Sequence, residues 1–182
     1  MATRSTIAIQ HPNGTISKIY CHWDGYPTYN GRILAVYFTE YLKAKELLSH
    51  GSLSVLRPNI NPTVAGHTFD TPQQGVCVYY GRDRGETETM AQSFLSLDQY
   101  IQESDFEEYN YILVNGVWYV NDCDDMDRVF HILTDVLDEA MTDIGDDNSL
   151  ATIYRDYRAS KEIEVLPNPR PFNQLLLGSM PE

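Results

Sequence analysis

Cys21-His22-Trp23-Asp24 places a thiol, an imidazole and a carboxylate within four positions. Those are the groups of nucleophilic catalysis, in which a base activates the thiol. The spacing argues against that use. On a strand, successive side chains point to opposite faces, so Cys21 and His22 cannot pair while both remain extended. Two arginines stand further on, in Gly81-Arg82-Asp83-Arg84-Gly85-Glu86. Arg82 and Arg84 could hold an anion, but Asp83 and Glu86 are ready local partners, and the glycines lack the spacing of a phosphate cradle. One reading makes the chain a small enzyme acting on a nucleotide or nucleic acid with His22, Asp24, Arg82 and Arg84. It requires these groups to reach one reacting atom. No G-x-S-x-G, Walker A or dinucleotide fingerprint occurs.

Metal sites fare worse. Asp122-x-Asp124 resembles the start of a calcium loop, but the sixth position is Asp127 where glycine is needed, and the twelfth is Leu133 where a bidentate glutamate is needed. His11, His22, His50, His67 and His131 have no partner at helical spacing. No metal and no cofactor is expected.

The acidic residues are the stronger signal. Glu103 to Asp147 carries fourteen Asp and Glu and one base, Arg128, while the rest of the chain balances at twelve acids against twelve bases. The whole net charge of −13 therefore sits in one quarter of the sequence. Two readings follow. Acidic helix faces commonly serve solubility. Alternatively, a folded array of carboxylates can occupy a Lys/Arg-lined groove that normally neutralises phosphates, and exclude the nucleic acid from it. The charge argues against direct contact with DNA, RNA or an anionic membrane.

The elements that must position these groups follow from pattern. Residues 4–10 and 15–23 alternate around His11-Pro12-Asn13-Gly14, a hairpin with Ile7, Ile9, Ile19, Cys21 and Trp23 inward. A helical turn is expected over 32–37. A helix follows, capped by Thr39 and closed by Gly51, with Tyr41, Leu42, Ala44, Leu47 and Leu48 on its stripe. Residues 52–75, rich in proline, read as an irregular connection, and 76–80 as a short strand. Ser96 caps a short helix. Asn115-Gly116 between two β-rich runs is the strongest hairpin signal in the chain. Asp122, Asp124 and Asp125 then read as caps of a helix over 125–144. Its apolar stripe is Val129, Ile132, Leu133, Val136, Ala140 and Met141, and its outer side carries His131, Asp135, Asp138, Glu139, Thr142 and Asp143. A last helix spans about 149–160 with Ile153 and Tyr157 inward.

The pattern predicts one α+β domain over 1–166, a mostly antiparallel sheet of about five strands with helices on one face. A Pro-rich tail occupies 167–182. Three separated cysteines, no apolar run of membrane length and no leader-like N-terminus predict a soluble protein of a reducing cytoplasm.

MATRSTIAI, then IYCHWDGYP with NGRIL shortly after, then YYGRDRGE, resembles a group of small, mostly uncharacterised proteins of bacteriophages and other mobile elements. The resemblance covers about residues 1–90 and attaches no catalytic role to either motif. In length and acidity the chain also looks like type II anti-CRISPR proteins, which inhibit an RNA-guided nuclease by protein contact, several at its basic DNA-binding cleft. That resemblance implies a DNA-mimicking inhibitor in a bacterial host cytoplasm. Once caps are set aside, the expected partner-binding residues are Glu103, Asp105, Glu107, Glu108, Asp135, Asp138, Glu139, Asp143, Asp146 and Asp147.

Overall fold

In the computed structural model, residues 2–123, 128–141, 149–162, 171, 172 and 175 are described. Alternating residues build the first two strands, β1 (Ser5–Gln10) and β2 (Ile16–Cys21), paired antiparallel with Ile7 opposite Ile19. A π-helical turn (Pro27–Gly31), α1 (Arg32–Tyr37) and α2 (Tyr41–Ser49) follow. Short strands β3 (Leu53–Val55) and β4 (Val78–Tyr79) lead into α3 (Tyr80–Arg84), then β5 (Gln92–Phe94) and α4 (Leu97–Glu103). The Asn-Gly hairpin is β6 (Tyr109–Val114) and β7 (Val117–Asp122). After it come β8 (His131–Ile132), α5 (Leu133–Ala140) and α6 (Ser149–Glu162). Asn115 and Gly116 have φ of 51° and 80°, as a type I′ turn demands at both positions.

Among the described residues, the strands form one eight-stranded mixed sheet in the order β4-β3-β2-β1-β6-β7-β8, with β5 beside β2. This corrects the expected five-stranded, mostly antiparallel sheet. β1 runs parallel to β6, with Ile7 opposite Tyr111, and β2 runs parallel to β3. Each hairpin is local and antiparallel, but the joint between the hairpins spans about a hundred residues and is parallel.

The helices also lie on both faces, not one. Ile7, Ile9, Ile19, Tyr111, Leu113 and Val120 pack with Leu34 of α1, Phe38 just after it, Leu47 of α2, Leu137 of α5 and Tyr154 of α6. On the reverse face, Ala8, Ile16, Ile112, Val114 and Tyr119 meet Leu97 and Tyr100 of α4, together with Phe130 and Phe172. Phe172 stacks on Phe130 at 4.6 Å, so this residue of the Pro-rich tail segment is part of the second core.

Several local expectations change. β2 ends at Cys21, so Trp23 leaves the inner face and is 42% exposed. Trp118 is the buried tryptophan, its Nε1–H donating to the Phe38 carbonyl at 2.9 Å. The cap of α2 is Glu40, without a side-chain bond, in place of Thr39. Leu42 is exposed; Ala44, Leu47 and Leu48 are the buried stripe. Gly51 does close that end, with φ of 81° and its N–H on the Leu48 carbonyl. In α6 the buried residues are Ala151 and Tyr154, while Ile153 is exposed. Ser96 caps α4, accepting from the Gln99 N–H. Among the described residues, no helix is long and apolar enough to cross a membrane.

Candidate functional site

The acidic residues divide by structural role. Tyr109 pairs with Asp122 at the open end of the β6–β7 hairpin, and the Cys123 N–H donates to the Glu108 carbonyl, so the two acidic groups meet at one end. Glu108 Oε1 accepts the Arg4 backbone N–H at 3.1 Å. Glu103 accepts from Gln99 Nε2 at 2.7 Å and is otherwise exposed. Asp105 is exposed and Glu107 is half-buried.

The predicted helix over 125–144 is shorter. Residues 128–130 are irregular, with Arg128 at φ of 52°, β8 pairs to β7, and helix runs only from Leu133 to Ala140. Its buried residues are Leu133 and Leu137, the second of which the predicted stripe omitted. The stripe failed because Val129 and Ile132 precede the helix, Val129 in irregular chain and Ile132 in β8. Asp122 ends β7 instead of capping a helix. Asp124, Asp125, Asp143, Asp146 and Asp147 lie outside the described residues.

On α5, Asp135 and Glu139 are exposed, one turn apart. Asp138 differs. It is half-buried, accepts the Tyr154 hydroxyl at 2.9 Å, and forms an ion pair with Arg158 of α6 at 2.5 Å. Arg128, the one base of the acidic stretch, is engaged elsewhere: its Nη1 donates to the Ile101 and Ser104 carbonyls and its guanidinium covers Phe106. Asp138 is therefore a clamp between helices, and the outward acids of α5 are Asp135 and Glu139. They line a groove of about 670 Å³ together with Ile101, Arg128, Val129, Phe130, Val136 and Phe172.

The enzyme reading loses its arginines. Arg82 donates to the Ile60 and Cys77 carbonyls, each at 2.7 Å, and to both oxygens of Asp83. Asp83 also accepts the Tyr79 N–H at 2.7 Å. Burial pushes its carboxyl up, yet the bonds from Arg82 and Tyr79 outweigh burial and hold it below the usual carboxylate value. Arg84 pairs with Glu86 at 3.0 Å and lies over Phe69. His22 Nδ1 meets the Tyr20 hydroxyl at 2.7 Å. The thiol of Cys21 is buried on the inner face and pushed up to about 12 by that burial, a poor nucleophile. Among the described residues, no cluster of three His, Cys, Asp or Glu is arranged for a metal ion.

The two distinctive strings do meet. The Tyr20 ring of IYCHWDGYP lies 6.4 Å from the Tyr80 ring of YYGRDRGE, with β3 between their strands. Gly25 lets the chain cross itself: a Cβ there would sit 2.7 Å from the Arg4 carbonyl. Gly81 admits Thr89 in the same way, at 2.7 Å from its Oγ1, and Gly85, with φ of 75°, turns the chain back.

Beside this crossing lies a polar cavity of about 290 Å³, walled by Lys18, Tyr20, Ser52, Glu88, Asp105 and Glu107 among others. Lys18 is 5% exposed. Its Nζ donates to Ser104 Oγ and to the Asp105 carbonyl, each at 2.9 Å. Burial lowers its pKa, and Asp105 and Glu107 partly offset that. In the sequence Lys18 occupies the polar position of an alternating strand and reads as solvent-facing. The segment 104–107 folds over that face, and Phe94 of β5 sets its ring 5.7 Å from the ammonium.

Set against family models, curated proteins and solved structures, the chain finds no match.

Proposed function

We propose that the protein is a non-catalytic binding protein of a bacteriophage or other mobile element, which docks an acidic surface on a basic, nucleic-acid-handling host protein. An RNA-guided nuclease is the first target to test. The observation that supports the reading is the pair Asp135 and Glu139, exposed in the lining of the mostly apolar groove. An apolar wall flanked by carboxylates suits a partner surface that mixes Lys or Arg with apolar side chains. Burial then supplies affinity, and charge supplies steering and register. Glu103 extends the acidic surface from α4.

The test is displacement of target DNA from an RNA-guided nuclease, measured by gel shift at low and high salt. The wild-type chain should displace DNA, less well at high salt. The double variant Asp135→Lys/Glu139→Lys should lose about tenfold or more in potency, since each 1.4 kcal/mol is a factor of ten. Equal potency of wild type and variant would remove the acidic surface from the mechanism. Failure of the wild type to displace DNA would remove the nuclease as target.

A further inference from the structure

β5 lies at an edge of the sheet. It pairs with β2 on one side, with Gln92 opposite Lys18 and Phe94 opposite Ile16, and among the described residues no strand lies on its other side. The phase of the ladder fixes which backbone groups face outward. The His22 N–H donates to the Leu53 carbonyl at 3.0 Å, so the even-numbered residues back along β2 turn their backbone groups away from β1, toward β3 and β5. Ile16 and Lys18 therefore bond Phe94 and Gln92, and Ser93 between these two turns its N–H and C=O away from the sheet. Ala91 and Leu95 share that direction. Ser93 and Leu95 are exposed, and the Leu95 N–H is met by the Gln99 side chain at 2.6 Å.

Edge strands are normally blunted by charge, by proline or by a bulge. The run TMAQSFLSL, from Thr89 to Leu97, contains no charged residue and no proline, and Glu88 and Asp98 bound it. Leu95 is 81% exposed, the most exposed large apolar side chain among the described residues. The groove beside β8 lies at the opposite edge of the sheet, so a second copy seated on β5 keeps the two sets of α5 carboxylates apart. A basic partner, by contrast, finds no carboxylate within the run.

We propose that β5 is the contact of a two-fold dimer, in which a second copy of this chain adds its own β5 antiparallel to the first. The strand is its own complement about Ser93. With Ser93 opposite Ser93 of the second copy, the two residues exchange both backbone bonds, Gln92 falls opposite Phe94, and the exposed Leu95 covers the small Ala91. The same pairs repeat across the axis, so the contact closes at two copies. An edge this short buries little area, which places the dimer in the weak range, with a dissociation constant on the order of 10–100 µM.

The experiment is sedimentation velocity of the full chain from about 5 to 500 µM, a range that brackets that constant. Reducing conditions exclude a disulfide through the exposed Cys123. The wild type should pass from monomer to dimer and go no further. Ser93→Pro removes the outward N–H and leaves the bonds of Gln92 and Phe94 to β2. Leu95→Lys replaces the apolar contact with a charge. Each should move the transition about tenfold or more to higher concentration. Leu95 is a surface side chain, so its variant carries the test even where the proline strains the strand. Deuterium exchange at the Ser93 amide of the wild type should slow as the dimer fills. Added NaCl should strengthen the dimer, because it screens repulsion between two copies of charge −13 each. A wild type that stays monomeric at the highest concentration overturns the proposal. So does a dimer that both variants form as readily as the wild type, or growth beyond two copies. DNA displacement plays no part in this readout, so either proposal can fail alone.

Discussion

At the scale of single residues, Asp83 shows how a charged string becomes structure. RDR looks like an anion clamp, yet Asp83 takes the Tyr79 N–H and Arg82 for itself. Asp83→Ala should cost about 1–3 kcal/mol in urea unfolding, because it strands the buried Tyr79 N–H. The pH dependence has a definite sign. The folded-state carboxyl lies below its ordinary 3.8, so its stabilisation is complete above that value and fades as pH falls through the lower folded one. Asp83→Asn should flatten the acid limb of a stability-versus-pH curve by that component. The pairing itself was legible, since Asp83 and Glu86 stand beside the arginines in sequence. The burial of Lys18 was not. Alternation marks the face of a strand, and nothing in β2 says what later segment will cover that face.

At the scale of elements, glycines decide which segments can touch. Gly51 and Gly116 both have positive φ, but a Cβ on Gly51 meets the Thr89 backbone and one on Gly116 meets nothing. Gly116→Ala should therefore cost only about 1 kcal/mol of conformational strain. Gly51→Ala should cost at least twice as much, and thermal denaturation of the pair measures the contrast. The helix after the second hairpin teaches a related lesson. Heptad-like spacing from Val129 to Met141 suggested one long helix, but β7 offered an open edge, and His131–Ile132 took it before the helix began. Tertiary pairing overrode a local pattern that fitted both states. The acid on the second turn of α5, Asp138, then acquires a different duty. Asp138→Ala should cost about 1 kcal/mol, since its pair with Arg158 is partly exposed, and should loosen α6 without changing DNA displacement.

At the scale of the molecule, charge acts on folding and on binding in opposite directions. A net charge of −13 repels itself in the compact state, and salt screens that repulsion. Raising NaCl from about 0.05 to 0.5 M shortens the Debye length severalfold. Tm should then rise by a few degrees, about 2–4 °C per kcal/mol for a chain of this size. The same salt should weaken capture by a basic partner. A chain whose Tm falls with salt would contradict the claim that self-repulsion governs its response to ionic strength. The α+β content and both hairpins were legible from composition and alternation. The mixed sheet was not, because pairing between β1 and β6 leaves no mark in either strand.

That central pairing bears on how the chain is made. β6 leaves the ribosome about a hundred residues after β1, yet they are neighbours in the middle of the sheet. Until then the nascent β1–β2 hairpin presents a bare strand edge of Ile and Ala, the template on which other chains add. Synthesis and completion of the sheet are thus separated in time. A chain stopped before Tyr109 should accumulate in the insoluble fraction of an expressing cell, even though it contains both of the distinctive N-terminal strings.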